Sequence, residues 1–276
     1  MIEQTGLQSE VYSNRANPAY DAVLQQRSAE AEGAFFLPYL RPGMRLLDCG
    51  CGPGTITAGL ARRVAPGNAV GVDIDGAELT RAREHASAAT TATLDLAAAS
   101  VYSLPFRDGS FDAAFVHTVL VHLRDPLAAL REVRRVLKPG GVLGVADGDW
   151  GTELIAPPLP SVARLHELQV RVRRHNGGDP FYARNLRRLL HEAGFARSEA
   201  GARVYSAGIP AALRAYAGSL VARFAGPAFR DMVLNQGWAN IDELERVCDE
   251  LVAWSKRPDA FYAITTCTAV AWAPEE

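Results

Sequence analysis

The stretch Met44-Arg-Leu-Leu-Asp-Cys-Gly-Cys-Gly-Pro-Gly-Thr-Ile-Thr57 constrains this chain more than any other. Leu46 and Leu47 read as a short buried strand that stops at Asp48. Three glycines follow at alternate positions (Gly50, Gly52 and Gly54), and a helical pattern starts near Thr55. Glycine tolerates positive φ and has no Cβ, so such a loop turns tightly and lets a ligand approach its backbone. The N–H groups that open the next helix lack partners within it and favour a carboxylate or phosphate. Strand, glycine turn and helix together make the ligand corner of a doubly wound α/β sheet. An ordinary strand-to-helix turn is the bland alternative, and it does not need three glycines behind an acid.

The spacing within the turn narrows the ligand. A dinucleotide fingerprint requires G-x-G-x-x-G, and counting from Gly50 and Gly52 puts Thr55 in the third glycine's place. Pro53 stiffens the loop where a pyrophosphate needs close approach, and Asp48 suits a ligand with a positive group. A nicotinamide-dependent oxidoreductase therefore stands as an alternative reading. Asp48-x-Gly50-x-Gly52-x-Gly54 resembles the first motif of the class I S-adenosylmethionine-dependent methyltransferases. The methionine part of that cofactor is a zwitterion. The resemblance sets Asp48 toward its ammonium and the N–H groups around Gly52 and Gly54 toward its carboxylate, with Cys51 in the same loop.

Further stretches extend the resemblance over residues 40–205 and again near the C-terminus. Ala69 to Asp73 reads as a second strand ended by an acid. Asp73 lies about twenty residues past the loop, where a carboxylate commonly bridges ribose hydroxyls, and Ile74 is placed beside it at the nucleoside. Asp75 reads as the cap of a helix from Ala77 to Ser87. After a third strand at Thr93–Ala98, the runs Leu104-Pro-Phe106 and Ser110-Phe-Asp112 resemble the methyltransferases of ubiquinone and menaquinone biosynthesis. Those enzymes carry an acid four residues before the leucine, on the adenine amino group. Ser100 occupies that place here, with the Val101 N–H as a partner for a ring nitrogen. His122-Leu-Arg-Asp-Pro-Leu127 and Glu132-Val-Arg-Arg-Val-Leu-Lys-Pro-Gly-Gly141 form the second match.

The resemblance implies a Rossmann-like seven-stranded sheet of order 3-2-1-4-5-7-6, strand seven antiparallel. The whole chain, 1–276, reads as one such domain. It has an N-terminal helical cap at 1–43, a cofactor-binding core at 44–150, and substrate-cap helices within 151–200 and 209–258. One helix is expected over Pro18–Phe36, a fourth strand over Phe111–Val116, and a fifth over Val142–Ala146. Ser161 is read as the cap of a helix reaching His175, and Arg184–Ala193 as another helix before a strand at Ala202–Ala207. Helices broken at Gly226-Pro227 and Gly237 then lead to a last strand at Ala263–Ala273.

A sulfonium methyl group is intrinsically transferable in line, so the protein's task is to align an acceptor and exclude water. A general base is needed only if the acceptor must lose a proton. Four residues are candidates: His117 at the end of the fourth strand, Asp149, His122 and Tyr182. In methyltransferases of the resembling type the segment before the first strand often covers the cofactor, which implies Arg27 as a partner for the methionine carboxylate, against the plainer reading of an exposed helix arginine. Trp150, Phe181 and Tyr205 are candidates for an apolar pocket, which suits a small apolar or aromatic acceptor. A protein that binds the cofactor without transferring methyl, and a methyltransferase acting on RNA or protein, remain as alternatives.

With 276 residues and a net charge of -2, the chain has no basic excess of the kind that nucleic-acid binding calls for. Arg171–Arg174 and Arg187-Arg188 read as solvated helix faces. Cys49, Cys51, Cys248 and Cys267 match neither a redox pair nor a zinc knuckle, so reduced thiols and no metal are expected. No basic-then-apolar leader opens the chain, and no apolar run approaches the ~20 residues that span a bilayer. The expected setting is cytoplasmic. The expected partner is a small-molecule substrate, with no nucleic acid and no membrane, and a homodimer is left open.

Overall fold

A computed structural model of the chain describes residue 17, residues 24–89 and residues 93–276. Seven strands form one sheet: β1 (Arg45–Cys49), β2 (Asn68–Asp73), β3 (Thr93–Ala98), β4 (Phe111–His117), β5 (Leu137–Ala156), β6 (Arg197–Ala207) and β7 (Phe261–Trp272). Their order is β3-β2-β1-β4-β5-β7-β6. The first five in that order pair in parallel, and β7 runs antiparallel to both β5 and β6, as the resemblance implies. Register brings Cys49 beside Val72 and Val116, and His117 beside Ala146. The carboxyl ends of β1, β2, β4 and the first part of β5 therefore share one edge. The chain leaves β1 toward β2 on one side and returns as β4 on the other, so a crevice opens there.

Alternating side chains on the strands feed two cores. On one face Leu47, Val116 and Leu143 pack with Leu130 and Val133 of α4 (Pro126–Val136) and Leu186 and Leu190 of α6 (Leu186–Glu192). On the other, Leu46 and Phe115 pack with Leu60 of α2 (Thr55–Val64) and with Phe36. Phe36 is fully buried over Gly144, where a Cβ would lie 2.4 Å from its ring. Burying such a ring contributes roughly 2–3 kcal/mol, and the glycine lets the segment before β1 lie flat on the sheet. A third cluster packs against Ala207 of β6 and Tyr262 of β7. It joins α5 (Pro160–His175), α7 (Pro210–Ala225), α8 (Pro227–Asn235) and α9 (Ile241–Trp254) around Leu165, Leu220, Phe229 and Leu251.

Several elements depart from the sequence reading. The helix expected over Pro18–Phe36 lies partly outside the described residues. Within them it is interrupted at 25–28, and Ser28 caps a separate turn, α1 (Ala29–Glu32), by accepting from the Ala31 N–H. Strand β5 is not confined to Val142–Ala146. Pairing with β4 at Leu137 and with β7 as far as Ala156 carries it through the Pro-Gly-Gly run and past Asp149. Ser161 does not cap α5. It sits inside the first turn with its hydroxyl on Glu250, and Pro160 supplies the helix start. The expected helix at Arg184 begins at Leu186, after a short 3-10 turn at Tyr182–Asn185. Residues 151–200 divide: 151–156 extend β5, α5 joins the third cluster, and α6 packs on the sheet beside α4. Asp75 does cap its helix, α3 (Gly76–Ala89), through the Ala77 N–H at 2.9 Å. Among the described residues no helix is long and apolar enough to cross a membrane.

Candidate functional site

A cavity of about 650 Å³ opens along the shared strand edge, within the ~300–1,000 Å³ typical of small-molecule sites. Its inner end is the glycine turn. Gly50, Gly52 and Gly54 all have positive φ (73°, 51° and 77°), but they do different things. A Cβ at Gly50 would strike Val119 at 2.3 Å, one at Gly54 would press on Ala82 at 2.9 Å, and one at Gly52 meets nothing within 4 Å. Gly50 and Gly52 line the cavity and Gly54 does not. Gly54 lets α2 and α3 approach each other.

Asp48, Cys51, Asp73, Ile74, Ser100 and Val101 complete this end. Asp48 is buried and accepts from the Thr57 hydroxyl at 2.6 Å. Burial pushes its carboxyl up to about 7; the Thr57 hydrogen bond opposes this and the Asp73 charge adds to it. A buried acid held near neutrality is a site that a cation would ionise. Asp73 accepts from the Gly52 N–H at 3.0 Å and the Asp75 N–H at 2.9 Å. Burial raises it, against those two bonds. Burial also raises the Cys51 thiol, which stays protonated. The two acids fit a ligand with one ammonium and vicinal hydroxyls; the Gly52 and Gly54 N–H groups, expected on its carboxylate, donate instead to Asp73 and to the Cys51 carbonyl.

His117 lines the cavity at the tip of β4. Its Nε2 is 3.2 Å from Glu32 Oε2, and its Nδ1 is 3.2 Å from the Thr118 hydroxyl. The Glu32 carboxylate also pairs with Arg203 of β6. Burial works to raise Glu32, but His117 and Arg203 together hold it at about 2. Burial pulls His117 below its ordinary value, only partly offset by Glu32. A carboxylate on Nε2 fixes the proton there and leaves the Nδ1 lone pair as the basic position.

Beyond His117 the lining carries His122, Trp150, Gln169, Arg173, Tyr205, Tyr216, Arg223 and Tyr262, and Arg27 joins the lining from the segment whose Leu24 carbonyl accepts from Thr55. Arg173 is only 5% exposed, lies against the His122 ring, and sits 4.9 Å over Trp150. Arg223 approaches the same indole at 5.6 Å. The solvated-face reading of Arg171–Arg174 thus fails at Arg173, which α5 turns inward. Burial, then Arg173, Arg223 and Arg27, drive His122 well below its ordinary value, so it is neutral.

Of the twelve residues singled out as site members, two lie outside the cavity lining: Gly54 and Asp149. Asp149 is buried under Arg184, whose Nε and Nη2 both donate to it at 2.6 Å, and it also accepts from the Gly151 N–H. The long β5 carries it past the lining of the cavity, where the expected catalytic role would need it, and into an ion pair with Arg184. Tyr182, also weighed as a base, is buried and donates to Asp147 at 2.6 Å. Phe181 stacks between Arg174 and Arg184, away from the cavity. Sequence reasoning missed Glu32, Asp147, Gln169, Arg203 and Arg223. Asp147 faces the cavity, accepting from the Val121 N–H, and burial raises it to about 6.

Residues 47–145 match the family described as a methyltransferase domain. A probable methyltransferase of Aspergillus luteorubrus is 31% identical over 267 residues, covering 90% of this chain and 92% of that protein. An uncharacterized methyltransferase of Schizosaccharomyces pombe is 36% identical over 182 residues, and the match spans 64% of this chain and 65% of that protein. Among solved structures, the YcgJ protein from Bacillus subtilis superposes with a TM-score of 0.61 at 16% identity, covering 90% of this chain and all (100%) of that one. That likeness is one of fold.

Proposed function

The chain belongs to the class I S-adenosylmethionine-dependent methyltransferases, and from that premise we propose that it methylates a small organic acceptor which loses a proton as it reacts. Bound at the glycine turn, the cofactor supplies a methyl group on a sulfonium, already activated for in-line displacement. Asp48 would take its ammonium, Arg27 its carboxylate, Asp73 the ribose hydroxyls, and Ser100 with the Val101 N–H the adenine. His117 Nδ1 receives the acceptor's proton, with Glu32 fixing the ring and stabilising the charge it gains. Such a base contributes about 10²–10⁴-fold. Alignment of acceptor and methyl in a water-excluding cavity contributes roughly 7–11 kcal/mol. Helices α5 and α7 to α9 act as the cap that closes it.

The observation that carries this reading is the continuity of one cavity, from the acid-and-glycine turn past His117 to an aromatic wall of Trp150, Tyr216 and Tyr262. A dyad of this kind serves an acceptor hydroxyl or amine and gives nothing to a thioether, which has no proton to lose. The nicotinamide reading is set aside with the family. Calorimetry with S-adenosylhomocysteine should show binding, and incubation of S-adenosylmethionine with a panel of phenols and amines should release S-adenosylhomocysteine. Binding without any release across the panel would favour a protein that holds the cofactor without transferring methyl. No binding of either compound would sink the proposal.

A further inference from the structure

Strand β5 interrupts its pairing with β7 beside the cavity. Asp149 pairs with Thr265 and Leu154 with Ala263, so residues 150–153 stand against Ile264 alone. The Thr152 hydroxyl fixes this bulge, donating to the Asp149 carbonyl at 2.7 Å and accepting from the Thr265 N–H at 3.0 Å. A bulge gives up ladder bonds and re-aims the side chains it carries, and bulges recur next to active sites. Here the side chains that reach the cavity lining are Trp150 and Glu153. Trp150 belongs to the aromatic wall; Glu153 has no part in the steps at His117.

Glu153 has acceptor capacity to spare. Its Oε1 accepts from the Tyr262 hydroxyl at 2.9 Å, and its Oε2 lies 2.6 Å from His166 Nδ1 on α5. A carboxylate offers about four lone-pair sites and donates nothing, so each oxygen keeps one site after these two contacts. Tyr262 lines the cavity with Glu153, and His166 does not. Two partners therefore hold the carboxylate in place, and a hydrogen-bond donor in the cavity completes it.

Charge decides which donor fits. Trp150, on the same bulge, has Arg173 at 4.9 Å and Arg223 at 5.6 Å over its ring. An ammonium brought to this wall meets the repulsion of both guanidinium groups, and an uncharged hydroxyl does not.

Resting on the methyltransferase reading above, we propose that the acceptor is an aromatic diol: one hydroxyl reacts at His117, and the other keeps its proton and donates it in a hydrogen bond to Glu153. The aromatic body lies along Trp150 and Tyr262.

The test uses the full chain saturated with S-adenosylhomocysteine. The probes are 1,5-, 1,6-, 2,6- and 2,7-dihydroxynaphthalene, each titrated by calorimetry against the naphthol that lacks the second hydroxyl. At least one diol should bind about tenfold or more tightly than its naphthol, the worth of one charge-assisted bond. Glu153→Leu should abolish that preference and Glu153→Gln, which keeps an acceptor oxygen without the charge, should keep only part of it. Both should leave S-adenosylhomocysteine affinity unchanged. Where a variant does not fold, the diol-against-naphthol comparison on the unaltered protein decides. Naphthols that bind as well as diols, no binding by any probe, or a preference that survives Glu153→Leu overturns the inference while leaving the methyltransferase reading intact. Failure of S-adenosylhomocysteine itself to bind overturns both.

Discussion

His117 Nε2 lies 3.2 Å from Glu32 Oε2, across 85 residues of sequence, and the same carboxylate reaches Arg203 of β6. One acid thus ties the segment before β1 to the tip of β4 and to the far edge of the sheet. Glu32, held at about 2, is ionised wherever the protein is folded under ordinary conditions. It therefore keeps the His117 proton on Nε2 at every pH at which the ring is neutral.

The pH profile of methyl transfer follows from this pair. Neutral His117 accepts a proton and the imidazolium cannot, so kcat/KM should rise with pH and then level off. The inflection should fall below 6.5, because burial lowers His117 more than Glu32 raises it. His117→Ala should lower kcat by about 10²–10⁴-fold and flatten that limb. Glu32→Gln removes what favours the charged ring, so the inflection should move further down while kcat drops and S-adenosylhomocysteine affinity stays. A steady-state profile from about pH 5 to 8 covers the range in which histidine titrates. Unchanged turnover in His117→Ala would remove the base from the mechanism.

Asp48 links binding to stability with the opposite sign. Its folded value of about 7 stands above the ordinary 3.8. A raised value means that its favourable contribution is complete below 3.8 and is lost as pH rises through 7. In the ligand-free protein Asp48→Asn should therefore raise Tm at about pH 8, by about 2–6 °C, with the gain vanishing near pH 4. Asparagine can still accept from Thr57, so packing is kept. The same variant should bind S-adenosylhomocysteine about tenfold or more weakly, because the ammonium loses its charged partner. Thermal scans at both pH values, with and without ligand, check the crossing.

The sheet was legible because each strand end carries its own mark: Asp48, Asp73 and His117 close β1, β2 and β4, and a glycine turn or helix cap follows. Where chain neighbours misled, the sheet itself was the reason. Pro139-Gly140-Gly141 signals a break, but pairing of Leu137 with Phe111 and the Gly140 N–H bonded to Pro274 keep the strand going. That extra length moved Asp149 out of the crevice and under Arg184. The Glu32–His117–Arg203 cluster left no local trace, since its members come from three distant elements. Arg173 did leave one. Val162, Leu165, Gln169 and Arg173 repeat at helical spacing, so two polar residues continue a buried apolar stripe. Counting charges in the run Arg171–Arg174 hid that signal; following the stripe reveals it.

Arg184 and Asp149 should behave as a structural pair. Asp149 is buried and Arg184 is half exposed, so removing the arginine leaves an acid with one backbone bond. Arg184→Ala should destabilise the fold, read as a lower midpoint in urea. Asp149→Asn should cost stability as well, with kcat and KM within about twofold of the unaltered enzyme. A large fall in kcat at preserved stability would return Asp149 to the list of catalytic residues.

The three glycines of the turn separate binding from packing, because only the space around each differs. All three sit at positive φ, so an alanine at any of them carries a similar backbone strain, roughly 1–2 kcal/mol. At Gly54 the added methyl also meets Ala82, including its backbone, at 2.9–3.1 Å. There Gly54→Ala must push α3 away from α2, and Tm should fall further than strain alone explains. At Gly52 the methyl meets no protein atom and points into space that the cofactor needs. Gly52→Ala should therefore lose only the strain in Tm while its affinity for S-adenosylhomocysteine drops by an order of magnitude or more. Gly50→Ala collides with Val119 at 2.3 Å and should suffer in both measurements. Parallel thermal scans and calorimetry on the three variants give the ordering, and equal losses of affinity and Tm at Gly52 and Gly54 would contradict the separation of roles.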